Sequence, residues 1–178
     1  MTDSLYFDTD CLSAFLWVRA ERILVSLYSG KIIIPQQVYD ELSNPYTPQL
    51  KTRVDALISK SDAEIQSILT ETSEFNLYKK MTITPGDGYN IIGKGEAAAI
   101  ALAATTDGTV ASNNLKDVSS YVSEFRLRLI TTGGILIKAL DNSLITEEDG
   151  NDIWREMLNK RRKIGSASFT DYLQANAE

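Results

Sequence analysis

Leu5-Tyr6-Phe7-Asp8-Thr9-Asp10-Cys11-Leu12-Ser13 is the stretch that decides the fold. Its first three residues are apolar and run without alternation, the pattern of a short strand covered on both faces. The run stops at Asp8. From Cys11 to Val18 apolar residues fall on nearly every side, which predicts a buried helix. A buried strand ending in an acid and followed at once by a helix is the opening of a parallel α/β sheet. In such sheets ligands gather beyond the carboxyl ends of the strands. Asp8 therefore has two readings, a cap for the following helix or an acid of an active site.

The same alternation continues outward. Glu21 to Tyr28 reads as a helix stopped at Ser29-Gly30, and Lys31 to Ile34 as a β-branched strand. Pro35 suits the first position of a short helix through Leu42, which Asn44-Pro45 ends. Thr47–Ser59 and Thr70–Met81 read as amphipathic helices with a short strand at Glu64–Ile68 between them. Thr84–Gly93 reads as a loop and Glu96–Thr105, nearly continuous Ala and Leu, as a helix. Strands at Thr109–Ser112 and Leu129–Thr131 alternate with helices at Asn114–Glu124, Gly134–Leu140 and Glu147–Arg161, and Phe169–Leu173 forms a last turn. The pattern predicts one α/β domain over residues 1–178, three-layer α/β/α, with a central, mostly parallel sheet of four or five short strands. A helical insertion over about 46–90 and a C-terminal helical extension over about 145–178 are expected within it.

Composition narrows the chemistry. The chain has 178 residues, no histidine, one cysteine (Cys11) and a net charge of -6. A histidine-dependent triad, a His-ligated zinc site and an internal disulfide are all excluded. Carboxylates and amides remain, hard oxygen ligands that suit Mg²⁺ or Mn²⁺. The opening Met-Thr-Asp-Ser has neither the basic start nor the apolar run of a secretory signal, and no stretch suits a membrane span. The cytoplasm is the expected compartment. The acidity is awkward for a nucleic-acid binder, unless the acids are clustered and a cation inverts the local field.

Four acids stand beyond predicted strands: Asp8, Glu41, Glu96 and Asp117. Each has an ordinary structural reading. Glu96 sits in the first turn of a helix, where acids are favourable, and Asp117 completes a capping box if Asn114 is the N-cap. Glu41 could be a solvated helix residue, although Asp40-Glu41 at a helix C-terminus opposes the macrodipole. Asp10, by strand-like alternation, should point away from Asp8. Lys160-Arg161-Arg162-Lys163 is the densest basic run, and a solvated helix end is its favoured reading.

Five segments in order resemble the PIN-domain family. Phe7-Asp8-Thr9-Asp10-Cys11-Leu12-Ser13 is similar to its opening motif, and Ile34-Pro35-Gln36-Gln37-Val38-Tyr39-Asp40-Glu41-Leu42 to its second. Gly95-Glu96 stepping into the Ala-rich helix resembles the third, and Val110-Ala111-Ser112-Asn113-Asn114-Leu115-Lys116-Asp117 the fourth. Thr131-Thr132-Gly133-Gly134-Ile135-Leu136 resembles the late glycine turn into a helix. The resemblance covers about residues 4–145 and extends to the toxin-like branch and its nucleic-acid-binding relatives. It implies a PIN-like fold and an Mg²⁺- or Mn²⁺-dependent ribonuclease acting on single-stranded or structured RNA. Asp8, Glu41, Glu96 and Asp117 would be catalytic. Asp8, Glu96 and Asp117 would hold the metal, and Thr9, Asn113 and Lys116 would place water or phosphate. It also implies partners: RNA, a small antitoxin protein if the chain is a toxin, and a second copy of the chain in a homodimer. A non-catalytic PIN module binding nucleic acid or protein is the alternative. Phe7-Asp8-Thr9-Asp10 is also similar to the opening of haloacid-dehalogenase-type phosphatases, but that opening carries Thr or Val four residues after the first Asp, where this chain has Leu12.

Overall fold

The computed structural model describes residues 4–177. In chain order these form β1 (Leu5–Phe7), α1 (Thr9–Trp17), α2 (Glu21–Tyr28), β2 (Ile32–Pro35), α3 (Gln36–Leu42), α4 (Pro48–Ser59), β3 (Ala63–Gln66) and α5 (Ser73–Thr82). There follow α6 (Lys94–Thr106), β4 (Thr109–Ala111), α7 (Leu115–Glu124), β5 (Arg128–Ile130), α8 (Thr132–Asp141), α9 (Glu147–Asn159) and α10 (Phe169–Ala175). Among the described residues the five strands make one sheet in the order β3-β2-β1-β4-β5, and each neighbouring pair is parallel. The register aligns Leu5 with Ile32 on one side and with Thr109 on the other.

Side-chain alternation along the strands divides the interior into two layers. Leu5, Phe7, Ile32, Ile34 and Ala111 face a core shared with Phe15, Leu16, Trp154 and Phe169. Tyr6, Ile33 and Val110 face the opposite core, with Ile100, Leu102 and Tyr121. Ala97, Ala98, Ala99, Ala101 and Ala103 of α6 are fully buried, and their small side chains let that helix lie close on the sheet. The result is the three-layer α/β/α architecture expected from the sequence. Among the described residues no helix is long and apolar enough to cross a membrane.

Segment 46–90 supplies α4, α5 and the edge strand β3, which starts at Ala63 and pairs with β2 from Ile32↔Ala63 to Pro35↔Gln66. The C-terminal helices close the first core. Trp154 is fully buried, its Nε1–H donates to the Ser166 carbonyl at 2.9 Å, and its ring lies 6.0 Å from that of Phe169. Phe169 in turn covers Gly150, where an added Cβ would come within 2.3 Å of the ring. Only glycine allows α9 and α10 this approach.

Several helix boundaries differ by one to three residues from those expected, and two of them bear on the strand ends near the site. Helix α1 begins at Thr9, two residues before Cys11, with Asp8 as its N-cap. Pro35 ends β2 and caps α3 rather than serving as its first residue. Its missing N–H costs no helical hydrogen bond in either position.

Candidate active site

Topology places the site before any side chain is considered. From β1 the chain runs outward through β2 to β3, then returns to build β4 and β5 on the other flank of β1. The order therefore reverses between β1 and β4, the switch point at which open α/β sheets bind ligands. Asp8 follows β1 and the segment Ser112–Asp117 follows β4. Backbone bonds tie these ends together: the Asp8 N–H donates to the Ala111 carbonyl at 2.9 Å, and the Ser112 N–H to that of Ile130 at 3.0 Å.

Asp8 is the most perturbed acid of the site. It is only 1% exposed. Its Oδ1 accepts the Cys11 N–H at 2.7 Å and so caps α1, while its Oδ2 is buried and makes no close hydrogen bond, the Ser112 side chain being the polar neighbour that acts on the carboxyl. Burial drives its pKa up to about 7, against the pull of Ser112 and the Cys11 N–H, with the negative charges of Asp10 and Glu96 adding to the rise. Capping and site membership, alternatives in the sequence, coexist here on two oxygens of one carboxylate.

Around Asp8 lies a cleft of about 170 Å³, lined by Asp8, Thr9, Asp10, Glu41, Gly93, Gly95 and Glu96. Glu41 reaches it from α3: the Thr9 hydroxyl donates to Glu41 Oε2, and the Gly95 N–H donates to Glu41 Oε1 at 3.2 Å. A Cβ at Gly95 would lie 2.7 Å from Thr9 Oγ1 and 3.1 Å from Glu41 Oε2, so the contact needs glycine. Glu96 Oε2 accepts the Gly93 N–H at 2.9 Å, fixing the start of α6, and its Oε1 accepts from Asn114 Nδ2 at 2.7 Å. Burial raises the Glu96 carboxyl above its ordinary range, opposed by the Asn114 and Gly93 donors and reinforced by Asp117 and Asp10.

Asp117 joins the group through an amide. Asn114 Nδ2 donates to Asp117 Oδ2 at 2.8 Å as well as to Glu96, holding the two acids side by side with a neutral donor between them. Asn114 does begin α7, but its side chain caps no backbone N–H. The capping-box expectation for Asp117 is thus corrected: Asn114 turns its amide NH2, which can only donate, to two carboxylates, which accept, and its side chain caps no helix N–H. Asn113 also departs from its expected role. Its Nδ2 donates to Thr132 Oγ1 at 2.8 Å and its Oδ1 accepts the Thr132 N–H at 2.9 Å, which clasps the turn after β4 to the start of α8. Lys116 is exposed in the first turn of α7 and makes no hydrogen bond or ion pair among the described residues.

Asp10 belongs to the site although alternation set it aside. Because the helix begins at Thr9, period-2 logic no longer applies at Asp10, and its side chain lines the cleft. It also borders a second hollow of about 180 Å³ lined by Asn113, Arg161, Arg162 and Lys163. Among the described residues no three acidic side chains converge into a ready-made cation cage. The reason is visible in the bonding. Glu41 and Glu96 each spend both oxygens on neutral donors, leaving Asp8 Oδ2 as the buried carboxylate oxygen of the cleft without a close hydrogen bond.

A family model described as a PIN domain matches residues 5–178, almost the whole chain. A comparison with curated proteins finds no match.

Proposed function

The chain belongs to the PIN-domain family, a nuclease-type module, and from that premise we propose that it is a metal-dependent endoribonuclease acting on single-stranded or structured RNA. The observation that carries this reading is Asp8 Oδ2. A buried carboxylate oxygen without a close donor is costly, and Asp8 lines a cleft that Asp10, Glu41 and Glu96 also line. A divalent cation with oxygen ligands fits that donor set and offsets its mutual repulsion.

In this proposal Asp8, Glu96 and Asp117 hold Mg²⁺ or Mn²⁺, directly or through water. The ion supplies an activated water, neutralised phosphate charge and a stabilised leaving oxygen. The chain's own residues do the rest. Glu41, fixed by Thr9 and the Gly95 N–H, accepts a hydrogen bond from the attacking water and orients it. Asn114 keeps Glu96 and Asp117 adjacent. Asn113 holds the β4 turn against α8, and Lys116 beside Asp117 meets a phosphate.

A second reading, a non-catalytic PIN module that binds nucleic acid or protein, draws on the lack of a ready-made cage among the described residues. Incubating purified protein with a mixed, labelled single-stranded RNA pool in Mn²⁺, Mg²⁺ and EDTA separates the two. Cleavage in either metal and none in EDTA supports the nuclease. Intact RNA throughout, with no calorimetric heat on adding Mn²⁺, supports the binding module. A toxin role, with a small antitoxin covering the cleft and a second copy of the chain as partner, is a further extension of the nuclease proposal. Growth arrest on expression of the chain alone, relieved by a neighbouring small protein, would test it. A cytoplasmic location belongs to the same proposal.

A further inference from the structure

We propose that Arg161 and Lys163, in the turn that ends α9, form a phosphate-binding arm of the active-site cleft that grips the RNA backbone beside the scissile bond. The inference rests on the ribonuclease reading and deepens it. The two residues line the 180 Å³ hollow together with Asp10 and Asn113, and Asp10 also lines the acidic cleft, so the two depressions adjoin. They are therefore not merely a solvated helix end.

Their place beside the acidic cleft sets them apart, whereas the lack of an ion pair is shared with most Lys and Arg side chains among the described residues. Lys51, Arg53, Lys80, Arg128 and Arg155 each have a carboxylate partner at ion-pairing distance. Among the described residues Arg161 and Lys163 have none, and both are exposed. Cations without partners and beside an acidic cleft are suited to an anion, and a polyanion crossing an acidic protein needs such a foothold. Arg162, between them, serves a different purpose. Its guanidinium lies over the Trp17 ring at 6.0 Å, and its Nε–H donates to the Lys160 carbonyl at 3.0 Å. It pins the turn to α1, the helix capped by Asp8, and so fixes its neighbours relative to the catalytic acids. RNA fits better than an acidic protein segment because the phosphate repeat would carry one strand across both depressions.

Binding of a fluorescein-labelled single-stranded RNA to Arg161→Ala/Lys163→Ala, followed by anisotropy in EDTA over a series of salt concentrations, tests the arm without relying on catalysis. Arg22→Ala/Lys60→Ala, which removes two exposed cations outside the cleft, controls for net charge. The expected result is roughly tenfold weaker binding at low salt, with a salt slope shallower by about 1.4, from about 0.7 per lost single-strand phosphate contact. The control pair should match wild type. If wild type cleaves RNA but the cleft pair binds like wild type or like the control, the arm is refuted while the nuclease stands. If the cleft pair loses nothing for RNA but loses binding to an acidic peptide, the surface serves protein. If wild type neither cleaves nor binds RNA, the underlying reading fails and the arm with it.

Discussion

The Gly95 N–H donates to Glu41 Oε1 across 54 positions of sequence, joining the start of α6 to the end of α3 at the rim of the acidic cleft. A methyl group at position 95 would intrude between Thr9 and Glu41, 2.7 Å from the hydroxyl. Gly95→Ala is therefore expected to cost about 1–3 kcal/mol of stability, as overpacking does, and to lower RNA cleavage by on the order of 100-fold through displacement of Glu41. Thermal melting beside single-turnover cleavage checks both. Wild-type cleavage in the variant would remove Glu41 from the mechanism.

Asp8 makes stability depend on pH. Its folded pKa of about 7 lies above the ordinary 3.8. Between those values the folded chain holds the extra proton. The contribution of Asp8 to stability is therefore complete below pH 3.8 and is lost as pH rises through about 7. A shift of this size corresponds to about 4 kcal/mol, as an upper figure. Asp8→Asn keeps an acceptor for the Cys11 N–H and cannot ionise. Melting temperatures measured without metal should show the variant gaining on wild type from pH 5 to pH 8. Parallel curves would contradict the assignment. Mn²⁺ should raise the wild-type melting temperature most at the alkaline end, where Asp8 is ionised.

The elements were more legible in the sequence than the contacts. Uninterrupted apolar runs at Leu5–Phe7 and Ile32–Ile34 read directly as buried parallel strands, and the order of the motifs anticipated that Asp8, Thr9, Glu41 and Glu96 would meet. Asp10 was hidden because its direction depends on where α1 starts, a boundary shift of two residues. Asn114 was hidden because an Asn before a helix has a local use, whereas its actual partners include Glu96, 18 positions away. The basic turn at Arg161–Lys163 was hidden for a related reason. Its place beside Asp10 depends on the path of the C-terminal helices, which local pattern does not encode.

Asn114→Ala should separate Glu96 from Asp117. It removes the amide that donates to both and leaves two carboxylates facing each other. Mn²⁺ affinity by calorimetry is expected to fall by about 10–100-fold, as when partners that orient metal ligands are removed. Unchanged affinity would place the ion away from this pair.

Phe169→Ala tests whether the C-terminal helices belong to the core. The ring is fully buried against Trp154 and fills the space that Gly150 leaves. Its loss should cost about 3–5 kcal/mol, seen as a lower denaturant midpoint for the whole chain in one transition. Two transitions, or a loss under about 1 kcal/mol, would make α9 and α10 an appendage.

The most direct test of the central claim is the rate of Mn²⁺-dependent cleavage of one labelled RNA by wild type and by Asp8→Asn, after melting has shown the variant to be folded. Wild type is expected to cleave in a way that EDTA abolishes, and the variant to lose at least about 1000-fold, about 4 kcal/mol of transition-state stabilisation. Cleavage by folded Asp8→Asn at the wild-type rate would contradict this role for Asp8, because the buried carboxylate on which the proposed site is built would then have no part in the reaction.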